Sequence, residues 1–205
     1  MRRFFLCCAV AVLALAAGCG PAIKQQAPDK IYFVLEAPRP VDAPRVQAPL
    51  GGALTVRKLS VSPAYESREL LYRAAEGRLQ PDYYNQFIVP PEDMASQAVR
   101  QWLGDTGLFA GVGLPGSGMR NEFVLEGGLT ALYGDFTAPQ AKAVLKAQFF
   151  LFLARGSYDL VLHKEYSEAI PLRERSAAGL VAGLNTALGN VLAALEADVK
   201  ARLAQ

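Results

Sequence analysis

Cysteine is almost absent from this sequence. The three cysteines are Cys7, Cys8 and Cys19, so the remaining chain has none. A domain without thiols has no disulfide, no thiolate metal site, no thiol nucleophile and no redox motif. Its fold must be stabilised by a hydrophobic core, which a chain of 205 residues with 52% hydrophobic residues can supply as one domain.

An excess of charge is missing as well. The whole sequence carries a net charge of +2, from 21 basic and 19 acidic residues. Arg2 and Arg3 account for that surplus, because no acidic residue precedes Cys19 and 19 basic residues remain behind them. This balance gives no electrostatic support for binding nucleic acid, and no polybasic patch for anionic lipids is present.

Catalytic side chains are equally scarce. His163 is the only histidine, so a Ser-His-Asp arrangement would require it, yet no G-x-S-x-G elbow accompanies it. A histidine on the face of a strand is the simpler interpretation. Glu92 and Asp93 follow two prolines and fit the first turn of a helix, where carboxylates complement the helix dipole. No enzymatic activity, metal or cofactor is expected.

A phosphate-binding loop is also lacking. The sequence contains no GK[ST], and its one literal G-x-G-x-x-G, at Gly111, Gly113 and Gly116, is interrupted by Pro115. The dinucleotide fingerprint needs a helix directly after the glycines, whereas the next segment here has the pattern of a strand. We interpret these glycines as a surface loop.

What the sequence does contain is an N-terminal export signal. Arg2 and Arg3 precede an apolar run from Phe4 to Ala17, which small residues end before Cys19. The run is shorter than the roughly 20 apolar residues that span a bilayer, which disfavours a transmembrane helix.

A cysteine directly after the small residues makes this segment resemble a bacterial lipoprotein signal. The resemblance implies cleavage between Gly18 and Cys19 and acylation of Cys19, which would anchor the protein to a membrane. Leu15 stands one place further from the cysteine than the lipoprotein pattern prefers, so ordinary secretion stays open. Gly20, in place of the aspartate that retains some lipoproteins at the inner membrane, favours the outer membrane.

The rest of the chain predicts a single α+β domain. Residues 1–18 form the signal, residues 19–30 hold the acylated cysteine and a flexible tether, and residues 31–205 form the domain. Strand patterns cover Ile31–Glu36, Leu54–Val61, Glu69–Arg73, Glu122–Leu132, Ala143–Ala154 and Tyr158–Ala169. The second and third are expected to pair across the turn at 64–68, and the last three to be long antiparallel strands.

Two amphipathic helices are expected to pack on this mostly antiparallel or mixed sheet. The first runs from Pro91 to about Leu103, and the second from Ser176 to Leu203 with apolar residues at helical spacing. The second helix also contains small residues, which either face the core or allow close packing against another subunit. They are Gly179, Gly183, Ala187 and Gly189.

Three segments resemble the family of ABC-type transport auxiliary lipoproteins, which includes the lipoprotein of the paraquat-inducible, MCE-associated system. The strongest is residues 59–73, in which a strand ends at Pro63 and Tyr65 and Arg68 follow. Residues 31–38 resemble the family's opening strand and proline. The tyrosine pair at 83–84 before a helix matches a third segment, although residues 85–87 replace the family's usual tryptophan.

The resemblance implies a non-enzymatic role beside an ABC permease and ATPase and a periplasmic MCE-domain protein that moves phospholipid between membranes. The lipoprotein would dock the MCE assembly at the periplasmic face of the outer membrane, and a homo-oligomeric ring is one arrangement for this. Tyr65 and Arg68 are candidate contact residues, with local turn packing as the alternative. A structural lipoprotein that activates a peptidoglycan synthase or assists outer-membrane assembly is the second functional hypothesis.

Overall fold

The computed structural model of the protein describes residues 29–118 and 121–205. The predicted signal, Cys19 and the tether up to residue 28 lie outside these ranges. The described residues form one mixed nine-stranded sheet and two α-helices, which confirms the predicted α+β class.

The elements follow one another in the order of the sequence pattern, with additional strands. The strands are β1 (Ile31–Phe33), β2 (Gly51–Val56), β3 (Ser60–Val61), β4 (Glu69–Arg73), β5 (Leu79–Phe87), β6 (Phe109–Gly113), β7 (Asn121–Asp135), β8 (Lys142–Leu153) and β9 (Asp159–Pro171). The helices are α1 (Pro91–Thr106), between β5 and β6, and α2 (Ala177–Leu203), at the end of the chain. A short 3-10 turn, Pro63–Tyr65, lies between β3 and β4.

Strand β7 organises the sheet. It pairs antiparallel with β8, which pairs antiparallel with β9, as the sequence predicted for the three long strands. On its other edge β7 pairs in parallel with β2, β3 and β4 at successive positions along its length. Strand β5 then extends the sheet antiparallel to β4, and β1 and β6 add parallel edges to β5 and β2.

The predicted pairing of the second and third strands is wrong. The segment 54–61 is divided between β2 and β3, and the N–H of Leu59 at the break donates to Oγ of Ser96 on α1 at 2.8 Å. Both β3 and β4 run parallel to β7, so they cannot also form an antiparallel hairpin with each other. The 3-10 turn carries the chain from one to the other.

Two strands were missed in the sequence. One is β5, which contains Pro81; the other is β6, which contains Gly111 and Gly113. The predicted surface loop is thus only partly correct, because two of the three glycines lie in a strand and only Gly116 lies in the following turn, with a φ of 84°. No helix follows them before β7 among the described residues.

Both helices cover one face of the sheet, called here the inner face. The helix α1 begins at Pro91 with Glu92 and Asp93 in its first turn and ends at Gly107, whose left-handed φ of 73° suits glycine. The helix α2 is capped by Ser176, whose Oγ accepts the N–H of Gly179 at 3.0 Å. Its apolar side chains are buried in the core with those of β8: Leu180, Leu184, Leu188, Leu192, Leu195, Leu145, Phe149 and Leu151.

By length and apolar composition α2 could also cross a membrane, and half of its most apolar stretch is buried in the protein. Two of its small residues, Gly183 and Ala187, face the chain's own core, whereas Gly179 and Gly189 are partly exposed. Gly183 is buried, and a β-carbon built there would stand 2.7 Å from Cβ of Ala143 on β8. This geometry supports the core-facing interpretation for Gly183 and Ala187 over close packing between subunits.

Candidate docking surface

The opposite face of the sheet, the outer face, carries a small apolar cluster. Leu71, Ala131, Tyr133 and Val144 are buried there beneath partly buried neighbours. Tyr65, at the end of the 3-10 turn, stacks on Tyr133 with ring centroids 5.8 Å apart and an angle of 16°. Tyr65, the candidate contact residue that the family resemblance indicated, therefore belongs to an aromatic pair on the outer face, and it is half-buried rather than exposed.

An ion pair flanks this cluster. Arg73 of β4 pairs with Asp135 of β7, and its guanidinium carbon lies 4.9 Å from the centre of the Tyr133 ring. Asp135 also accepts the N–H of Thr137 at 3.1 Å and its hydroxyl at 2.6 Å. Burial alone would raise the pKa of Asp135, but the hydrogen bonds from Thr137 and Arg73 outweigh burial and lower that pKa to about 2.

We expect Asp135→Asn to destabilise the protein at pH 7 by about 1 kcal/mol, a modest cost because Arg73 is partly exposed and water screens the pair. A carboxyl with a lowered pKa contributes its stability above the ordinary aspartate value of about 3.9 and loses it as pH falls toward about 2. Urea unfolding at pH 7 and at pH 2 measures this, and the two proteins should converge at the lower pH. A difference that stays constant would assign the effect to shape, not charge.

Further along the outer face lies a row of rings, the aromatic ladder, formed by Phe150, Phe152, Tyr158 and His163. Phe152 stacks on Tyr158 at 4.5 Å and lies 6.5 Å from Phe150. The Tyr158 hydroxyl donates to Glu126 at 3.0 Å, and Arg57 pairs with the same carboxylate at 2.7 Å. Tyr158 and His163 are exposed, whereas Phe150 and Phe152 are half-buried, and stacking together with charge pairing holds the rings in place.

His163 is part of this ladder and has the surroundings of a structural residue. Its ring stacks on Phe150 with centroids 4.3 Å apart and planes 5° apart. The sequence-based interpretation of His163 as a histidine on the face of a strand is confirmed, and its side chain is exposed there. Within residues 29–118 and 121–205, no group of three or more histidine, cysteine, aspartate or glutamate side chains could hold a metal ion.

Arg68, the second candidate contact residue, is partly buried like Tyr65 and also has contacts within the domain. Its Nε donates to the carbonyl of Phe87 at 3.0 Å, and its guanidinium carbon lies 5.5 Å from the Tyr32 ring centre. The structure therefore separates the two: Tyr65 contacts the outer-face cluster, and Arg68 contacts the edge formed by β1 and β5. Glu92 and Asp93, set aside as a helix first turn, both approach Lys58, at 3.6 and 2.7 Å.

Structures similar to this fold are known. A crystal structure of a Xanthomonas campestris protein of the DUF330 family matches with a TM-score of 0.64 and 22% identity, covering 80% of this chain and 90% of that one. A hypothetical protein from Chlamydia trachomatis matches with a TM-score of 0.53 and 10% identity, covering 74% and 99%. At these identities the likeness concerns the fold. No curated protein matches the sequence.

The sequence itself matches a family model over residues 33–196, from the end of β1 to the last turns of α2. The match includes the Tyr65–Arg68 segment, both helices and all the long strands. The model is that of the ABC-type transport auxiliary lipoprotein component. The chain belongs to this family of ABC transport auxiliary lipoproteins, as its sequence motifs predicted.

Proposed function

We propose that this protein is the lipid-anchored auxiliary component of an ABC and MCE system that moves phospholipid between two membranes, and that it docks the periplasmic MCE assembly at the outer membrane. The observation that carries the proposal is the family match over 33–196 behind a segment that ends in Cys19. Acylation of Cys19 supplies the anchor, cleavage after Gly18 creates its free amine, and residues 20–30 supply reach. The role requires no catalytic group.

Removing the anchor tests the first part of the proposal. We expect Cys19→Ala to abolish incorporation of labelled palmitate and to remove the protein from the outer-membrane fraction, with detergent sensitivity equal to that of cells lacking the protein. The matched control is Cys8→Ala, which changes a cysteine inside the predicted signal and should keep both label and location. Full function of an unlabelled Cys19→Ala protein would exclude the anchor from the mechanism.

Co-purification from solubilised membranes tests the partner. Capture of an MCE-domain protein supports intermembrane lipid transport, whereas capture of a peptidoglycan synthase without MCE protein supports the structural alternative. Size measurement of the same sample determines whether the lipoprotein forms a homo-oligomer.

The partner is proposed to contact Tyr65 on the outer face and Arg68, which directly precedes β4, because tyrosine and arginine are enriched at interface hot spots. Arg68→Lys keeps the charge but loses the planar guanidinium, so it should weaken MCE capture while changing the melting temperature little. Unchanged capture would assign Arg68 to turn packing alone.

A further inference from the structure

Exposed apolar side chains are concentrated at one edge of the domain. Twelve large apolar or aromatic residues are exposed in the described part of the chain, and seven of them come from residues 31–34 and 83–89. These two segments are neighbours, because β1 pairs with β5 and the N–H of Ile88 donates to the carbonyl of Phe33 at 2.9 Å. We call this surface the β1–β5 patch; it includes Ile31, Tyr32, Val34, Tyr83, Tyr84 and Ile88.

The two central tyrosines are presented by a bulge in β5. Glu69 of β4 pairs with Gln86, but the next residue, Leu70, pairs with Asp82, so residues 83–85 lie outside the ladder between β4 and β5. The Asp82 carboxylate accepts the N–H groups of Tyr84 and Asn85 at 3.0 and 3.1 Å. Bulges redirect side chains, and this one directs Tyr83 outward, with 63% of its surface exposed.

The bulge is rigid and accompanied by positive charge. The side-chain amide of Gln86 donates to the carbonyl of Tyr83 at 2.9 Å, and the rings of Tyr83 and Tyr84 meet edge to face at 5.2 Å. The Lys30 ammonium lies 4.0 Å from the centre of the Tyr83 ring. Ordered tyrosines beside lysine, surrounded by aliphatic side chains, have the composition of a membrane–water interface.

The position of the patch relative to Cys19 indicates that a membrane covers the β1–β5 patch. Lys30 belongs to the patch and stands eleven residues after Cys19. Eleven residues span at most about 40 Å even when fully extended, so acylation at Cys19 would keep this edge of the domain near the bilayer. We infer that the β1–β5 patch rests in the interface of the membrane in which Cys19 is anchored, with Tyr83 and Tyr84 at the depth of the lipid headgroups. The inference rests on the proposed acylation.

Depth-dependent fluorescence quenching tests the inference. The full-length acylated protein carrying Tyr83→Trp is reconstituted in vesicles of phosphatidylcholine and phosphatidylglycerol, with and without lipids brominated in their acyl chains. The matched control is Tyr158→Trp, also an exposed tyrosine at 48%, which directly precedes β9, a strand separated from β1 by β5, β4, β7 and β8. Buried Trp102 contributes the same background to both. We expect quenching of Tyr83→Trp to be at least about twofold stronger than that of Tyr158→Trp.

Vesicle flotation of the wild-type protein distinguishes a failure of this inference from a failure of the proposed acylation. If the wild-type protein floats with the vesicles but the two variants are quenched equally or not at all, the patch does not meet the membrane and the anchor still stands. If the wild-type protein fails to float, the acylation proposal and this inference fail together. A photo-cross-linking residue at position 83 should form lipid adducts in cells; adducts with a second copy or with another protein would overturn the inference.

Discussion

Glu196→Ala is expected to lower the free energy of unfolding by about 3–5 kcal/mol, because it leaves a buried cation without its counter-ion. Arg39 has only 5% of its side chain exposed and forms two parallel hydrogen bonds to the Glu196 carboxylate, at 2.9 and 2.8 Å. The indole N–H of Trp102 donates to the same carboxylate at 2.8 Å. One substitution thus removes a partner from Arg39 in the segment between β1 and β2 and from Trp102 in α1.

Glu196→Ala should also destabilise the proline-rich segment between β1 and β2. Arg39 also donates to the carbonyls of Ala43 and Pro44, at 3.2 and 2.7 Å, so Glu196 fixes this segment through Arg39. Urea unfolding followed by circular dichroism measures the free energy, and hydrogen exchange of residues 41–48 reports the local effect. The control Glu165→Ala, at an exposed position on β9, should change stability by less than about 0.5 kcal/mol.

The Glu196 effect should also depend on pH. Burial raises the pKa of Glu196, but the hydrogen bonds from Arg39 and Trp102 outweigh burial and lower that pKa overall. Its charge therefore contributes stability fully above the ordinary glutamate value of about 4.3, and the contribution is lost as pH falls through the lowered value. A penalty for Glu196→Ala that is equal at neutral and strongly acidic pH would contradict a charge-based role.

Gly183→Val is expected to cost about 2–3 kcal/mol, because a side chain there meets the sheet. Its β-carbon would stand 2.7 Å from Cβ of Ala143 and 2.8 Å from Cδ2 of Leu172, so α2 would have to move away from β8. The matched control is Gly189→Ala in the same helix, where the nearest atom is 4.0 Å away and the change should stabilise by up to about 1 kcal/mol. Thermal and urea unfolding compare the variants.

A contrary result would be informative about assembly. If Gly183→Val keeps wild-type stability but changes the size of the protein in solution, the small residues of α2 serve contacts between subunits, the alternative that the sequence left open.

The parts of the fold that the sequence predicts are those with local signals. The strands β7, β8 and β9 are long and are joined by the short connections 136–141 and 154–158, the second of which contains Gly156 with a φ of 78°. Strands that follow one another so closely in the chain usually pair as antiparallel neighbours, and these three do. The helix α2 has a capping serine at its start and regular apolar spacing, and its predicted and observed bounds agree at Leu203. In such segments propensity, pattern and final packing agree.

What the sequence does not predict depends on distant residues. Pro81 argues against a strand, yet β5 accommodates it because β1 pairs only with residues 85–87 and leaves the strand edge at Pro81 without a partner in β1. The parallel pairing of β3 and β4 with β7 joins segments more than 60 residues apart and leaves no local trace. The Arg39–Glu196 pair spans 157 residues for the same reason.

The candidate surfaces show the same division. The motif at Tyr65 and Arg68 is short enough to find in the sequence, but its ring partner Tyr133 is supplied by β7. The tyrosine pair at 83–84 can also be found in the sequence. Its exposure, however, depends on a register shift between β5 and β4, which the hydrophobic pattern of the sequence does not predict.

The central position of β7 has a consequence for the order in which the protein folds. The strands β2, β3 and β4 all precede β7 in the chain and take it as their parallel partner. As the chain is made, β2 therefore stays without its β7 partner until residues 121–125 have emerged, β3 until residues 128–129 and β4 until residues 134–135. Non-local parallel pairing is slow to form, because the chain loses the entropy of closing a long loop before the stabilising contacts between the strands are made. Throughout this interval the apolar strands of the N-terminal half are open to wrong pairing and to chaperones. The strand β7 therefore determines when the edge formed by β1 and β5 becomes part of a finished sheet, because that edge reaches β7 through β4.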